Sequence, residues 1–379
     1  MSKRKIVFIN VAYYPTVGGT QRVVQMIAEK CVSYGFDVYV FCLLPKNREI
    51  HEYNGVKIFE ITTLKSLFKE LALLNPDIVY CNIVHNLLTI KISLYHYFFR
   101  PRKNYVLILN SVGGYGKGSI FRALYQFLFS GEKKYIFPKI FRVALLKIIN
   151  SVFDYYIVMD NKGTDYLFDR KYISKDKIIF IPQGLDFAEL DEIKEINFDN
   201  IRKKYGITSE PYFVCAHNFQ VWKNHKELIE FFKENIDLNL VILGSKTLSH
   251  PEVLRSLEKA KNSKNIHIVT DIPRKEFLAI INNSIGHLSF SKVEGHQNNV
   301  LIECMYMNKL YITSPATQDY SYFPNVVIFR NHRELLQIIN NLHRYNSALD
   351  TKGSEYCIKN KMSWEDVMNK YFELFENVK

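Results

Sequence analysis

The sequence predicts an α/β protein made of two doubly wound parallel sheets. Thirteen short runs rich in β-branched and aromatic residues alternate with segments of helical periodicity along the 379 residues. Most of these runs are continuously apolar, which is typical of parallel strands that helices cover on both faces. Thirteen strands are too many for one ordinary sheet of this kind, so we predict two domains.

The predicted strands fall into a set of seven and a set of six. The first set is KIVFIN, FDVYVFCLL, VKIFEI, DIVYCNI, YVLILN, YYIVMD and KIIFIPQG. The second set is YFVCAHN, LNLVILG, NIHIVTD, GHLSFS, KLYITS and NVVIF. The polar stretch FAELDEIKEINFDNIRKKYG separates them. We therefore expect residues 1–185 to form one Rossmann-like domain and residues 186–362 to form a second.

The composition is that of a globular protein with a basic balance. Hydrophobic residues make up 47% of the chain, and the formal net charge is +12. This charge indicates an anionic partner, such as nucleotide phosphates, nucleic acid or an anionic membrane surface, or it serves solubility alone. The N-terminal run KIVFIN is too short for the core of a signal peptide, and no apolar run reaches the roughly 20 residues that a membrane span needs. We therefore predict a soluble, cytoplasmic protein.

The cysteines are spread along the chain without a CxxC pair, and most lie inside apolar runs. This pattern indicates reduced core thiols, and it argues against a disulfide framework or a zinc site. The six residues are Cys31, Cys42, Cys81, Cys215, Cys304 and Cys357.

Gly18 and Gly19 lie in the loop after the first predicted strand. They precede an amphipathic helix with Val23, Val24 and Ile27 on its inward face. Glycines let the backbone approach a ligand closely, and a helix start directs N–H groups and the positive end of the dipole at it. A plain turn between strand and helix explains the same residues. The loop is not a P-loop, because the pattern GxxxxGK[ST] is absent.

Lys223 follows the strand YFVCAHN and precedes a helix whose apolar face carries Leu228, Ile229 and Phe232. A lysine in this position can reach phosphate oxygens as a flexible point charge. The alternative is a solvated lysine.

Glu294 and Glu303 lie in the segment VEGHQNNVLIECM, residues 293–305. Carboxylates accept hydrogen bonds from vicinal hydroxyls, as the acidic residue of dinucleotide folds does for ribose. The segment therefore suits one side of a nucleotide-sugar site. The alternative is one exposed loop carboxylate and one solvated helix carboxylate.

A helix should begin near Val300, since Asn298 or Asn299 is a good N-cap. Glu303 would then lie within the first two turns of that helix. The backbone amides of Asn299, Val300 and Leu301 would form an anion cradle at its start.

Five motifs in order along the chain resemble those of the retaining GT-B glycosyltransferases of family GT4: GGTQRVV, IPQGLD, KNHKEL, VEGHQNNVLIECM and SWEDVMNKYFELF. The resemblance spans nearly the full length, and each motif lies beside the expected kind of strand. It implies the GT-B fold, in which two Rossmann-like domains face a central cleft. We expect the C-terminal helix, residues 363–379, to join the first domain.

The resemblance implies that the second domain holds a nucleotide-diphosphate sugar and the first domain holds the acceptor. In that arrangement Glu303 binds the ribose, Glu294 lies near the donor sugar, Gly19 lies at the diphosphate and Lys223 binds phosphate. The implied transfer retains the anomeric configuration and needs no metal, and the sequence has no DxD pair. The predicted catalytic residues are Glu294, Lys223 and Gly19. The predicted donor-binding residues are Gly18, Gly19, Asn218, Lys223, Glu294, Gly295, Asn299, Val300, Leu301 and Glu303.

Four features depart from the family pattern, and one of them is IPQG in place of the usual IPNG. Eight residues separate the two glutamates, where seven are usual. Asn218 occupies the position of the usual arginine five residues before Lys223, and the common histidine after the strand YVLILN is absent near Asn110. We therefore expect phosphate neutralisation to rest on Lys223 and backbone amides, with help from His217 or His225.

Residues 117–150 carry seven lysines or arginines and a single acid. Basic residues interleaved with aromatic ones on a helix suit an anionic membrane surface or a lipid-diphosphate acceptor. FFRPRKN, residues 98–104, adds a second patch of this kind. The alternative is a stripe that faces the core beside solvated charges. The residues expected at the membrane or acceptor are Lys133, Lys134, Lys139, Arg142 and Lys147.

Three hypotheses for function follow. The leading one is a glycosyltransferase of cell-surface polysaccharide synthesis, peripheral on the inner face of the membrane, with a membrane-presented or lipid-linked glycan acceptor. The second keeps the fold and donor but modifies nucleic-acid bases. The third is a non-catalytic GT-B partner subunit that binds a sugar nucleotide.

Overall fold

The structure is a computed structural model. It describes residues 3–15, 19–43, 50–82, 86–99, 104–110, 148, 151–159, 174–246, 249–292, 294, 297–315, 320–342 and 352–378. The chain divides into two compact units. Unit 1 comprises Met1–Pro182 and Glu365–Lys379, and unit 2 comprises Gln183–Trp364. The assignment of acceptor and donor to these units stays a prediction.

The sheet of unit 1 has the strand order β3-β4-β2-β1-β5-β6-β7-β8 within the described residues. Its pairings are parallel except for the antiparallel pair β3 and β4. The strands are β1 (Lys5–Asn10), β2 (Asp37–Cys42), β3 (Glu52–Tyr53), β4 (Val56–Glu60), β5 (Ile78–Asn82), β6 (Val106–Asn110), β7 (Tyr155–Val158) and β8 (Ile178–Phe180). The short strand β3 was not among the seven strands predicted for this unit.

Helices pack on this sheet through the faces that the sequence pattern predicts. Val23, Val24 and Ile27 of the first helix are buried, as expected from their spacing. The second helix begins with a capping box in which Thr63 and Ser66 satisfy each other's backbone amides. The helices are α1 (Gly19–Ser33), α2 (Leu64–Leu74) and α3 (Asn86–Phe99).

The sheet of unit 2 has the order β11-β10-β9-β12-β13-β14 over the described residues, with parallel pairing throughout. Along β9, Phe213 and Cys215 join the hydrophobic cluster on one face, whereas Val214 and Ala216 join the cluster on the other. The sheet is therefore covered on both faces. The strands are β9 (Tyr212–Ala216), β10 (Asn239–Gly244), β11 (Ile266–Thr270), β12 (Gly286–Ser289), β13 (Leu310–Thr313) and β14 (Val326–Ile328).

The helices that cover this sheet begin with caps that the sequence supplies. Asn298 and Asn331 each accept a backbone N–H from the first turn of their helix, and Pro251 stands at the first position of another. The helices are α4 (Phe187–Glu192), α5 (Phe198–Tyr205), α6 (His225–Glu234), α7 (Pro251–Ala260), α8 (Arg274–Asn282), α9 (Asn299–Tyr306), α10 (His332–Asn340), α11 (Lys352–Lys359) and α12 (Trp364–Asn377).

From Glu365 onward, α12 packs within unit 1. The Arg4 guanidinium donates to the carbonyls of Phe375 at 2.7 Å, Glu376 at 3.0 Å and Val378 at 2.7 Å. These carbonyls end a helix, so the cation also meets the negative end of the helix dipole.

The predicted fold class is confirmed, since each unit is a mixed α/β layer structure around a largely parallel sheet. All six cysteines lie in described parts of the chain and are buried thiols. Burial raises the pKa of Cys215 to about 12, as expected of an inert core thiol. No helix among the described residues is long and apolar enough to cross a membrane.

Candidate active site

The carboxyl ends of β9 and β12 mark the point where the strand order of unit 2 reverses. The two strands are neighbours, yet the chain builds outward from β9 through β10 and β11 on one side, and from β12 through β13 and β14 on the other. Ligands of open α/β sheets bind at such a switch point. Lys223 follows β9 and Glu294 follows β12, so the topology brings these two predicted residues together.

Lys223 and Glu294 form a buried ion pair. The Lys223 Nζ lies 2.7 Å from Glu294 Oε2, and the side chains are 12% and 1% exposed. A buried carboxylate is costly unless it is paired and hydrogen-bonded. The structure therefore excludes both a solvated Lys223 and an exposed loop carboxylate at Glu294.

His217 lies beside the same carboxylate. Its Nε2 lies 3.0 Å from Ser289 Oγ and 3.7 Å from Glu294 Oε1. Burial, with a smaller contribution from the Lys223 charge, holds the pKa of His217 well below its ordinary value. The ring is therefore neutral, and its contact with Glu294 is not an ion pair. His217 cannot replace the charge of the arginine that the family resemblance leads one to expect.

A second histidine, His287, packs against the His217 ring and binds the backbone at the end of β9. His287 Nε2 accepts the Ala216 N–H at 3.1 Å, and its ring stacks on Tyr311 with centroids 4.6 Å apart. Burial lowers the pKa of His287 to about 3, with the Lys223 charge as the next cause. The Tyr311 hydroxyl in turn accepts from Asn298 Nδ2 at 3.1 Å. This polar layer links the end of β9 to the start of α9.

Asn298, one of the two cap residues that the sequence offers, caps α9, because its Oδ1 accepts the Leu301 N–H at 2.7 Å. The cap corrects one expectation. The Leu301 amide donates to the cap, so the predicted anion cradle of three amides would have to rely on Asn299 and Val300.

Glu303 lies on α9 and is 4% exposed, which excludes a solvated helix carboxylate. Its Oε1 accepts from Arg274 Nη2 at 2.5 Å. Arg274 is the first residue of α8, and its Nε also contacts Glu189 Oε2 of α4 at 3.4 Å. Burial alone would lower the pKa of Arg274, but the two carboxylates, Glu303 first, raise it.

The other predicted residues are Asn218, Gly19 and a group outside the described residues. Asn218 is exposed directly after β9, and its carbonyl accepts the Gln220 N–H at 2.9 Å. Gly19 is the first residue of α1 in unit 1. The predicted residues outside the described parts of the chain are Gly18, Gly295, Lys133, Lys134, Lys139, Arg142 and Lys147.

Arg274 and His287 are site residues that the sequence did not indicate. Arg274 stands in TDIPRKEF, where a basic residue beside the helix start looks solvated. His287 lies within an apolar strand, where it looks like an ordinary core residue. Among the described residues there is no group of three or more His, Cys, Asp or Glu side chains that could hold a metal ion.

Residues 197–322 match the family model for glycosyl transferases group 1. The match lies within unit 2. It contains the charged residues of the site except Glu189, namely Lys223, Arg274, Glu294 and Glu303. No curated protein matches the sequence significantly.

Solved structures of glycosyltransferases share the fold of the whole chain. A glycosyltransferase from Rickettsia africae ESF-5 gives a TM-score of 0.71 at 16% identity, covering 99% of this chain and 98% of that chain. HepE of Anabaena, solved in complex with UDP-glucose, gives 0.71 at 12% identity, with 99% and 100% covered. WaaG, a glycosyltransferase involved in lipopolysaccharide biosynthesis, gives 0.64 at 13% identity, with 98% and 100% covered. At these identities the likeness shows the GT-B fold.

The family match over residues 197–322 and the GT-B fold of the whole chain together support a glycosyltransferase. Neither finding supports the two alternatives drawn from the sequence, a nucleic-acid-modifying enzyme and a non-catalytic partner subunit.

Proposed function

We propose that the protein transfers a sugar from a nucleotide-diphosphate donor with retention of the anomeric configuration, as members of family GT4 do. The observation that carries this proposal is the buried Lys223–Glu294 pair at the switch point of unit 2. It lies inside the segment that matches the group 1 glycosyltransferase model. An ammonium and a carboxylate held together out of water suit a ligand that carries both phosphate and hydroxyl groups.

The proposed role of Lys223 is to stabilise the leaving diphosphate. A lysine has three N–H donors, so one can stay on Glu294 while another meets a phosphate oxygen. Electrostatic groups fixed in a dry site lower the barrier because they need no reorganisation as charge develops. Glu294 then lies where it can accept a hydroxyl of the donor sugar, and the amides at the start of α9 complete the phosphate contacts.

The proposed role of Glu303 is to bind the ribose hydroxyls of the donor. Its burial on α9 excludes competing water, so hydrogen bonds to its charged oxygens are strong. HepE of Anabaena was solved with UDP-glucose, which makes a uridine donor the first to test. No divalent cation is needed in this scheme, because Lys223 and the amides supply the positive charge.

We place the acceptor on the membrane, as a membrane-presented or lipid-linked glycan in cell-surface polysaccharide synthesis. The support is the basic and aromatic segment 117–150 of the sequence, together with the fold shared with WaaG of lipopolysaccharide biosynthesis. The protein would then act from the cytoplasm, peripheral on the inner face of the membrane.

The donor is tested by incubating the pure protein with UDP-, ADP- and GDP-sugars and recording the melting temperature. At a saturating concentration, about 100 times Kd, binding to the folded state adds about 2.7 kcal/mol and raises that temperature. Slow hydrolysis of the stabilising donor, followed by proton NMR, should release the sugar with its anomeric configuration retained, and EDTA should not stop it. Inversion, or strict dependence on Mg²⁺ or Mn²⁺, would contradict the proposal.

The acceptor side is tested by sedimentation with anionic and neutral liposomes. The protein should sediment with anionic liposomes, and serine at Lys133, Lys134, Lys139, Arg142 and Lys147 should remove the binding while donor hydrolysis survives. Each basic residue near the surface contributes on the order of 1 kcal/mol. The matched control replaces five exposed lysines of unit 2 by serine and should still bind: Lys226, Lys233, Lys259, Lys261 and Lys264. Steeply salt-dependent binding to DNA with no liposome binding would overturn the membrane assignment.

A further inference from the structure

Arg274 is held between two carboxylates that come from different helices. Its Nη2 lies 2.5 Å from Glu303 Oε1, and its Nε lies 3.4 Å from Glu189 Oε2. The guanidinium also lies 5.7 Å from the centroid of the Phe277 ring, within the range of a cation–π contact. The group is thus fixed from three sides, although its side chain remains 31% exposed.

Glu189 is itself anchored, which makes it a fixed support for the arginine. It lies in the first turn of α4, where its backbone N–H donates to the capping Asp186 Oδ1 at 3.0 Å. Its side chain is 15% exposed. Two carboxylates around one guanidinium leave the cluster with a formal charge of −1.

We propose that Arg274 is a positioning residue that sets the Glu303 carboxylate for the vicinal hydroxyls of the donor ribose. This inference rests on the proposed function of Glu303. An arginine presents its N–H donors in a rigid plane, so a hydrogen bond to Oε1 restricts the rotation of the carboxylate. A carboxylate has about four acceptor positions on its two oxygens, so hydroxyl groups can still bind it. The carboxylate is therefore oriented before the nucleotide binds, so binding loses less conformational entropy.

The arrangement predicts discrimination between ribose and deoxyribose. A site built to hydrogen-bond a hydroxyl rejects the analogue that lacks it, because its buried polar groups then lose their partner. The wild type should bind a ribonucleoside diphosphate about tenfold or more tightly than its 2′-deoxy or 3′-deoxy form. Without Arg274 the carboxylate is no longer oriented, so this preference should shrink.

The experiment measures Kd by calorimetry for UDP, ADP and GDP. It then compares the tightest of the three with its two deoxy forms. Arg274→Gln should reduce the preference for ribose to less than about threefold, and Arg274→Lys should keep part of it because a charge remains. Arg202→Gln is the matched control, because Arg202 pairs with Asp199 on the exposed face of α5. This control should keep the full preference.

A double-mutant cycle separates positioning from a structural role. If Arg274 acts through Glu303, the preference for ribose in Arg274→Gln/Glu303→Gln should equal that in Glu303→Gln alone. A merely structural loss would lower the melting temperature and leave the ratio of the two Kd values unchanged. If Arg274→Gln does not fold, Arg274→Lys and Glu189→Gln carry the same comparison with smaller expected changes.

The outcomes distinguish this inference from the function on which it rests. A wild type that binds none of the three diphosphates, or that binds ribose and deoxyribose forms equally, overturns both. A wild type that prefers ribose, with Arg274 variants that keep the full preference, overturns the inference and leaves the donor site standing. Independent, additive losses in the cycle also overturn it.

Discussion

The two units use the switch points of their sheets in different ways. In unit 1, three neighbouring strands β1, β5 and β6 end in buried asparagines. Asn82 Nδ2 donates to Asn10 Oδ1 at 3.3 Å, and Asn110 Nδ2 donates to Asn82 Oδ1 at 3.1 Å. In unit 2 the corresponding edge carries the Lys223–Glu294 ion pair.

The asparagines of unit 1 serve the structure, whereas the ion pair of unit 2 is placed to act on a ligand. The amides of unit 1 are hydrogen-bonded in a chain and carry no net charge, so they hold the strand ends in register without creating a strong field. The ion pair of unit 2 stands out of water, where charges interact strongly with a ligand. We therefore expect substitutions at the edge of unit 1 to change stability, and substitutions at the edge of unit 2 to change catalysis and donor binding.

The largest expected effect is that of Lys223→Gln. Removing one preorganised donor from an active site costs about 10²–10³ in kcat, and we expect donor hydrolysis or transfer to fall by that factor. The matched control is Lys226→Gln, three residues along the chain, because the Lys226 side chain is 73% exposed. Steady-state kinetics should show the control within twofold of wild type. Equal rates for the two variants would remove Lys223 from the chemistry.

Glu303→Gln should weaken binding of the donor nucleotide by about 1–3 kcal/mol, since hydrogen bonds to a charged group become neutral. Calorimetry gives the Kd directly. Glu230→Gln on the exposed face of α6 serves as the control and should bind as wild type does. An unchanged Kd for Glu303→Gln would mean that the carboxylate serves only the ion pair with Arg274.

Asn82→Ala tests whether the asparagine cluster of unit 1 serves stability. It removes one bond to Asn10 and one to Asn110 in a buried cluster, so we expect a loss of about 1–3 kcal/mol in stability. Each kcal/mol corresponds to about 2–4 °C in the calorimetric melting temperature of a unit of this size. The control is Asn377→Ala, an exposed asparagine of unit 1. Nucleotide affinity should stay unchanged, and a weakened Kd would show that the asparagine cluster also serves the donor.

The strands were predictable because short, continuously apolar runs between helical segments are typical of buried parallel strands. β3 was not, because its two residues are too few to show a period. The placement of Lys223, Glu294 and Glu303 was predictable because a strand end or a helix cap stands beside each in the sequence, whereas their roles stay predictions. Arg274 was not, because its partners lie 29 and 85 residues away along the chain.

The cap at α9 shows a limit of another kind. The sequence offered Asn298 and Asn299 as alternatives for the cap, and the structure places Asn298 there. The chemistry of the cap also decides which amides a ligand can use, since the cap itself consumes the Leu301 N–H. Capping preferences therefore predicted the start of α9 correctly. Which backbone amides stay available to a ligand depends on which of the two adjacent asparagines takes the cap position.

The smallest effect concerns His225, the first residue of α6, beside the charged pair of unit 2. Its ring is buried, and neither ring nitrogen has a hydrogen-bond partner among the described residues. Burial, with a contribution from the Lys223 charge, lowers the pKa of His225 from 6.5 to about 4. Above pH 6.5 the ring is neutral in the folded and unfolded states alike. Between pH 6.5 and about 4 only the unfolded state takes up the proton, so stability falls as the pH falls.

The expected loss from His225 is about 1.4 kcal/mol per pH unit within that window, with no further loss below it. His225→Leu should flatten the fall by this amount, whereas His51→Leu, at an exposed position in unit 1, should not. Both tryptophans, Trp222 and Trp364, lie in unit 2, so urea unfolding followed by tryptophan fluorescence reports on the unit that contains His225. If His225→Leu and wild type lose stability with the same slope between pH 6.5 and 4, then the buried ring is not the group that takes up the proton.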